Sequence, residues 1–100
     1  MTITKSQEVA TLTLTLEGRL DTVTAPELNK EIEAIGTDVS ELVMDFAGIE
    51  YVSSAGLRAI LCGQKKMTKQ AGTMKLQHIC PAVQEVLDLT GFSDILTIEN

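Results

Sequence analysis

The stretch YVSSAGLR, residues 51–58, joins an apolar β-like run to an apolar run with helical spacing. The change of period predicts a strand, a tight connection and a helix at this point. One serine is enough to cap the helix, because a serine hydroxyl at the N-cap accepts a hydrogen bond from a free backbone N–H group. The second serine is either part of that cap region or a site of modification. From the residues alone, capping is the favoured interpretation.

The alternation of apolar and polar residues predicts the first strands. Residues 9–16 alternate threonine and leucine and are typical of a strand with one buried face. Ile3 is expected to begin an earlier strand, which turns back at residues 6–8, and residues 17–21 are expected to break the second strand. The short apolar run at residues 42–46 predicts a central strand that is buried on both faces.

Capping residues predict the first helix. Thr24 suits the N-cap, Pro26 falls in the first turn, and Glu27 completes a capping box. Gly36 suits the C-terminal stop.

Four more elements follow the serines. Apolar residues recur at helical spacing over residues 57–71, and Gly72 is expected to end that helix. Residues 74–79 predict a strand, a third helix is expected from Pro81 to Gly91, and residues 95–98 predict a final short strand.

These elements place the chain in the α/β class, in the order β-β-α-β-α-β-α-β. We expect a mixed sheet of four to five strands, about three to four helices packed on it, and right-handed parallel crossovers. The chain of 100 residues has no linker, repeat or low-complexity segment. Residues 1–100 are therefore expected to form a single domain.

Composition limits the function classes. The net charge of −6 opposes direct binding to nucleic acid or to anionic membranes, and the scarcity of aromatic residues opposes binding to single-stranded nucleic acid. No apolar run is long enough to insert into a membrane, and the first residues do not resemble a signal peptide, so a cytoplasmic protein is expected. Cys62 and Cys80 are then expected to be reduced. A monomer is the expected state for this size and charge.

Nothing in the sequence forms a recognisable catalytic, metal or cofactor motif, so a non-enzyme without cofactors is expected. His78, the only histidine, falls inside a predicted strand and is expected to face solvent. No base is placed to activate Ser53 or Ser54 as a nucleophile. The glycines form neither of the common phosphate-binding loops. The carboxylates that could gather at one end of the sheet are expected to be solvated turn residues: Asp21, Asp45 and Glu50.

A phosphate on one of the serines would be compatible with the predicted helix start. Free backbone N–H groups and the helix dipole stabilise an anion there by roughly 0.3–2 kcal/mol. The fold would tolerate the modification, so its effect would fall on an interface through an added charge of about −1.5 to −2.

Short segments spread along the chain occur in an order that is typical of one bacterial family. They are LEGRLD at 16–21, LVMDF at 42–46 followed by Ile49, YVSSAGL at 51–57, the turn at Gly72, PAV at 81–83 and TGF at 90–92. Over essentially its whole length the chain resembles the STAS domain family, and specifically the single-domain anti-sigma factor antagonists. The serine motif is fairly specific in its strand–helix context, whereas the other segments are individually weak.

The resemblance implies a regulatory switch between protein partners. In that family the unphosphorylated antagonist binds an anti-sigma factor, which is a serine kinase, and a sigma factor that regulates transcription is released. The kinase phosphorylates a serine at the start of the second helix and thereby ends the interaction, and a PP2C-type serine phosphatase restores it. The alternative is a non-catalytic STAS subunit of a lipid-transport ATPase complex or of another multi-protein assembly.

The resemblance also implies the site residues. The family pattern Asp-Ser-[Ser/Thr/Ala]-Gly-Leu aligns its modified serine with Ser54 and its aspartate with Ser53. Ser54 is therefore the expected phosphorylation site, and Ser53, where the chain departs from the pattern, is the minor alternative. Asp21 matches a family acidic residue, with a turn residue before the helix cap as the equal alternative. The expected partner-binding residues are Asp21, Thr22, Ser53, Ser54, Ala55, Gly56 and Arg58.

Overall fold

The computed structural model describes residues 1–99, which form a five-stranded sheet with three α-helices. The predicted element order is confirmed. The elements are β1 Thr2–Glu8, β2 Thr11–Leu20, α1 Ala25–Glu33, β3 Glu41–Val52, α2 Ser54–Lys69, β4 Thr73–Gln77, α3 Pro81–Thr90 and β5 Thr97–Glu99, with a 3-10 turn at Phe92–Asp94 before β5.

The strands lie side by side in chain order. β1 is antiparallel to β2, and the three remaining pairs are parallel. Each βαβ crossover therefore steps in the same direction, and right-handed crossovers that do so put their helices on the same face of the sheet. The sheet has one covered face and one open face.

Burial follows this arrangement. In β2 the leucines are buried and the threonines between them are not. The covered face and the helices share one core, whose largest fully buried side chains are Leu14, Leu16, Leu20, Leu28, Leu42, Met44, Phe46, Ile49, Ile60, Met67, Leu76 and Leu87.

The first hairpin differs from the prediction. β1 continues through residues 6–8, and the turn lies at Val9, whose φ is 56°, and Ala10. β2 is not broken at residues 17–21 but continues to Leu20, with register shifts against β3 on either side of Gly18. At each shift β3 has one residue more than β2, so β3 bulges beside this part of β2. Gly18 has a φ of 115°, which only glycine adopts without strain.

The central strand is longer than residues 42–46 and is not buried on both faces. It extends to Val52 because its second half pairs with the continuation of β2. On its open face Val43 is buried between its strand neighbours, whereas Glu41 and Asp45 remain partly exposed. The prediction failed because a short apolar run does not reveal that no helix covers the second face.

The first helix begins where predicted but is capped differently. Thr24 is the N-cap residue, yet its side chain makes no cap hydrogen bond, so the predicted capping box with Glu27 does not form. The helix ends at Glu33, before Gly36. The third helix runs from Pro81 to its left-handed stop at Gly91, as predicted.

His78 is not a strand residue. It follows β4 with a φ of 58°, and its Nδ1 lies 3.0 Å from Oδ1 of Asp45. Burial raises the pKa of the Asp45 carboxyl, but hydrogen bonds from the Ala47 N–H group and from His78, with the attraction of a charged imidazole, lower this pKa overall. The pair connects the end of β4 to the middle of β3.

The two faces of β2 predict different responses to truncation. Leu14→Ala should lower the free energy of unfolding by about 2–5 kcal/mol, because it leaves a cavity under the helices. Thr15→Ala, on the open face of the same strand, should change it by less than about 1 kcal/mol. Urea unfolding measures both values, and equal losses would contradict the assignment of the faces.

Candidate functional site

The candidate site lies where the carboxyl ends of β2 and β3 meet the start of α2. β3 ends at Val52, and the Ser53 N–H group donates a hydrogen bond of 2.9 Å to the carbonyl oxygen of Leu20. This bond fixes the strand-to-helix connection against the neighbouring strand. The connection is a single residue, so the positions of both serines follow from the sheet.

Ser53 is the N-cap of α2. Its backbone is extended, with φ −90° and ψ 176°, and its Oγ accepts a hydrogen bond of 3.3 Å from the Gly56 N–H group. Its carbonyl oxygen accepts the first hydrogen bond of the helix, from the Leu57 N–H group at 2.9 Å. The half-buried Ser53 hydroxyl is therefore engaged in holding the helix start.

Ser54 is the first residue of the helix, and its side chain is exposed. Within residues 1–99 its hydroxyl has no hydrogen-bond partner, and the backbone N–H groups of Ser54 and Ala55 have no acceptor. A helix leaves such N–H groups unpaired at its start, and they attract anions together with the helix dipole. The geometry separates the two serines into a capping residue and an accessible hydroxyl.

Gly56 is buried and faces the sheet. A Cβ atom on it would lie 2.8 Å from the carbonyl oxygen of Leu20 and 3.0 Å from a methyl group of Val52. Gly56 is one of the expected partner-binding residues, but it is buried and packs inside the fold against Leu20 and Val52. Gly56 allows the first turn of α2 to lie directly on the end of β2.

Asp21 is held in the turn between β2 and α1. Its Oδ1 accepts hydrogen bonds from the Val23 N–H group at 3.0 Å and from the Thr24 N–H group at 3.1 Å. The bond from the Thr24 N–H group is the main reason that the pKa of the Asp21 carboxyl is lowered, although desolvation opposes it. No hydrogen bond joins Asp21 to Ser54 among the described residues, so Asp21 shapes the turn, and Thr22 is exposed beside it.

Three side chains that sequence reasoning missed surround this turn. The Arg19 guanidinium lies 4.2 Å from the centre of the Tyr51 ring, and its Nε is 3.6 Å from Oδ2 of Asp21. Val23 is 82% exposed and Tyr51 is 43% exposed, which gives the site an apolar surface. In the sequence, the signal for this surface was the position of two apolar residues, Val23 and Tyr51, next to predicted connections.

Arg58 lies on the exposed side of α2, four residues after Ser54. Residues with this spacing lie one turn apart on the same helical face, so Arg58 can reach a charge on Ser54. Asp45 pairs with His78, and residues 1–99 contain no cluster of three or more metal-binding side chains.

Comparison with known proteins identifies the family of the chain. The family model for the STAS domain matches residues 1–100. The chain belongs to the STAS domain family. Among relatives of this STAS protein is BtrV of Bordetella bronchiseptica, which is named as an anti-sigma factor antagonist. The two are 31% identical over 86 residues, which cover 85% of this chain and 74% of BtrV.

Solved structures give the same fold. An anti-sigma factor antagonist from Mycobacterium paratuberculosis is 26% identical to this STAS protein, with a TM-score of 0.84 over 97% of this chain and 83% of the other. The phosphorylated form of the Bacillus cell fate determinant SpoIIAA is 16% identical, with a TM-score of 0.76 over 99% of this chain and 92% of SpoIIAA. None of the helices in residues 1–99 of this STAS protein combines the length and apolar character of a membrane span.

The close approach at Gly56 predicts a difference between two glycines of α2. Gly56→Ala should lower the free energy of unfolding by about 1–3 kcal/mol, because the new methyl group meets the Leu20 backbone. In Gly63→Ala, the matched control, the new methyl group meets side-chain atoms of Met44, Met74 and Ile32 rather than backbone. Methionine side chains adapt readily and the helix gains about 1 kcal/mol of propensity, so the effect should be smaller. Thermal unfolding of both variants tests this, and a larger loss for Gly63→Ala would contradict it.

The lowered pKa of Asp21 predicts a pH dependence of stability. A carboxyl with a folded pKa below its usual 3.8 stabilises the fold fully above that usual value, and loses this contribution as the pH falls through the folded pKa. The unfolding midpoints of the wild type and Asp21→Asn should therefore differ by a constant amount from about pH 7 to about pH 5 and converge below about pH 4. A difference that is unchanged in acid would contradict the assignment.

Proposed function

We propose that this STAS protein is an anti-sigma factor antagonist, a non-catalytic cytoplasmic regulator that phosphorylation of Ser54 switches off. The observation that carries the proposal is the exposed Ser54 hydroxyl, which has no partner within residues 1–99 and lies beside free N–H groups at the start of α2. A relative and a solved structure above 25% identity that bear the antagonist name support the general role. The partner in the unphosphorylated state is an anti-sigma factor.

The phosphorylation site is Ser54 rather than Ser53. The Ser53 hydroxyl is half-buried and occupied by the Gly56 N–H group, whereas a kinase can reach Ser54 without opening the helix start. A phosphate on Ser54 would meet free N–H groups, and Arg58 lies one turn away to pair with it. The fold therefore remains intact after modification, and the serine kinase and a PP2C-type phosphatase can act in a reversible cycle.

The switch acts through the surface around Ser54. Val23 and Tyr51 give the partner an apolar contact area, and Arg19 stacks on Tyr51 beside it. A partner that desolvates this surface would also cover Ser54. A doubly charged phosphate in such an interface carries a desolvation cost that the hydroxyl does not, so binding ends when the serine is modified.

The experiment uses the wild type and Ser54→Ala, Ser54→Asp and Ser53→Ala as baits in the native cell extract. A serine kinase should be retained by every bait except Ser54→Asp, whose affinity should fall by at least about tenfold because of the added charge. With the recovered kinase and ATP, mass spectrometry should find phosphate on Ser54 in the wild type and in Ser53→Ala.

Two outcomes contradict the proposal. Phosphate on Ser53 with none on Ser54 would show that Ser53, and not Ser54, is the modified residue. Equal affinities of Ser54→Asp and Ser54→Ala for the purified kinase, measured by calorimetry, would exclude the electrostatic mechanism.

A further inference from the structure

A second surface lies on the C-terminal half of α2, away from the switch. A groove of about 420 Å³ runs between α1 and α2, with Ile32 of α1 and Cys62 of α2 in its lining. A helix rises about 1.5 Å per residue, so the residues of α2 near its C-terminal end lie about 16–22 Å from Ser54. A volume of this size accommodates a few side chains of a ligand.

The groove is basic on an acidic chain. Lys65, Lys66 and Lys69, three of the six lysines, line it, and one acidic residue, Glu33, lies opposite them. Within residues 1–99 the ammonium groups of these three lysines make no ion pair or hydrogen bond, and neither does that of Lys30, whereas Lys5 and Lys75 are both paired with glutamates. The helix dipole favours cations in the last turn, but it does not require three of them around one groove.

The groove also presents an unused acceptor. The side-chain oxygen of Asn29, in the wall of the groove, is buried and accepts no hydrogen bond from the described residues. Buried acceptors are normally paired, and a rotation of the Asn29 side chain toward the groove would let this oxygen accept a hydrogen bond from a ligand. A peptide brings both kinds of partner, since its carboxylates match the lysines and its backbone N–H groups match the amide oxygen.

We propose that the α1–α2 groove binds an acidic segment of a partner protein. The net charge of −6 repels every anionic partner at long range, but salt screens that repulsion. A narrow peptide segment can then reach the lysines and Ile32 inside the groove, which a flat bilayer surface cannot enter. The groove and Ser54 lie at opposite ends of α2, so this contact is independent of the phosphorylation switch. A partner can remain on the groove while the switch surface exchanges its own.

The test measures fluorescence anisotropy of a labelled acidic peptide, EELEELEE, on the full chain. The wild type should bind it, and the uncharged peptide QQLQQLQQ should bind at least about tenfold more weakly. The triple variant Lys65→Gln/Lys66→Gln/Lys69→Gln should lose at least about tenfold in affinity. The matched control, Lys5→Gln/Lys30→Gln/Lys75→Gln, has the same net charge and should lose less than about threefold. Ser54→Asp should bind as the wild type does.

The exposed Cys62 reports the location. The acidic peptide should slow alkylation of Cys62 by iodoacetamide, while alkylation of the half-buried Cys80 should be unchanged. Circular dichroism of both triple variants establishes that they are folded. The proposal is overturned if the peptide does not bind, if both triple variants lose the same affinity, or if only vesicles containing anionic phospholipid bind in the groove.

Discussion

The restriction of all three helices within residues 1–99 to one face of the sheet is the constraint on which the other features depend. It follows from the strand order β1-β2-β3-β4-β5, in which each parallel crossover steps the same way. The leucines of β2 and the apolar side chains of β3 must then share one covered face, and the helices must fit side by side on it. The open face needs no apolar residues, which is why threonines suffice there.

That constraint sets the geometry of the serine segment. α2 must begin directly at the end of β3 to lie on the covered face, and its first turn approaches β2 so closely that Gly56 has no room for a side chain. Gly56 therefore faces the sheet, and the Ser53 side chain caps the helix. Ser54 is exposed, and its hydroxyl has no partner within residues 1–99. Packing therefore distinguishes two adjacent serines that have the same side chain.

The polarity of α2 relates the two surfaces of the molecule. Its N-terminal end presents free N–H groups and attracts negative charge at Ser54, while its C-terminal end attracts the positive charges that line the α1–α2 groove. The chain as a whole has a net charge of −6 and repels anions, whereas these two regions attract them locally. Each favours a partner with opposite charge, and the distance along the helix keeps them separate.

The sequence by itself determined the element order, the element types and the position of the serine segment, because periodicity and capping residues act within a few neighbours along the chain. It also indicated Ser54, through the resemblance of the motif to the STAS family. Only the tertiary structure decided that β2 continues through Gly18 beside the bulges of β3, that Asp21 is bound in its own turn, and that His78 meets Asp45. It likewise decided that Arg19, Val23 and Tyr51 surround the site and that three lysines face a groove. These features depend on contacts between segments that are distant in sequence, and no local pattern of residues encodes which segments will meet.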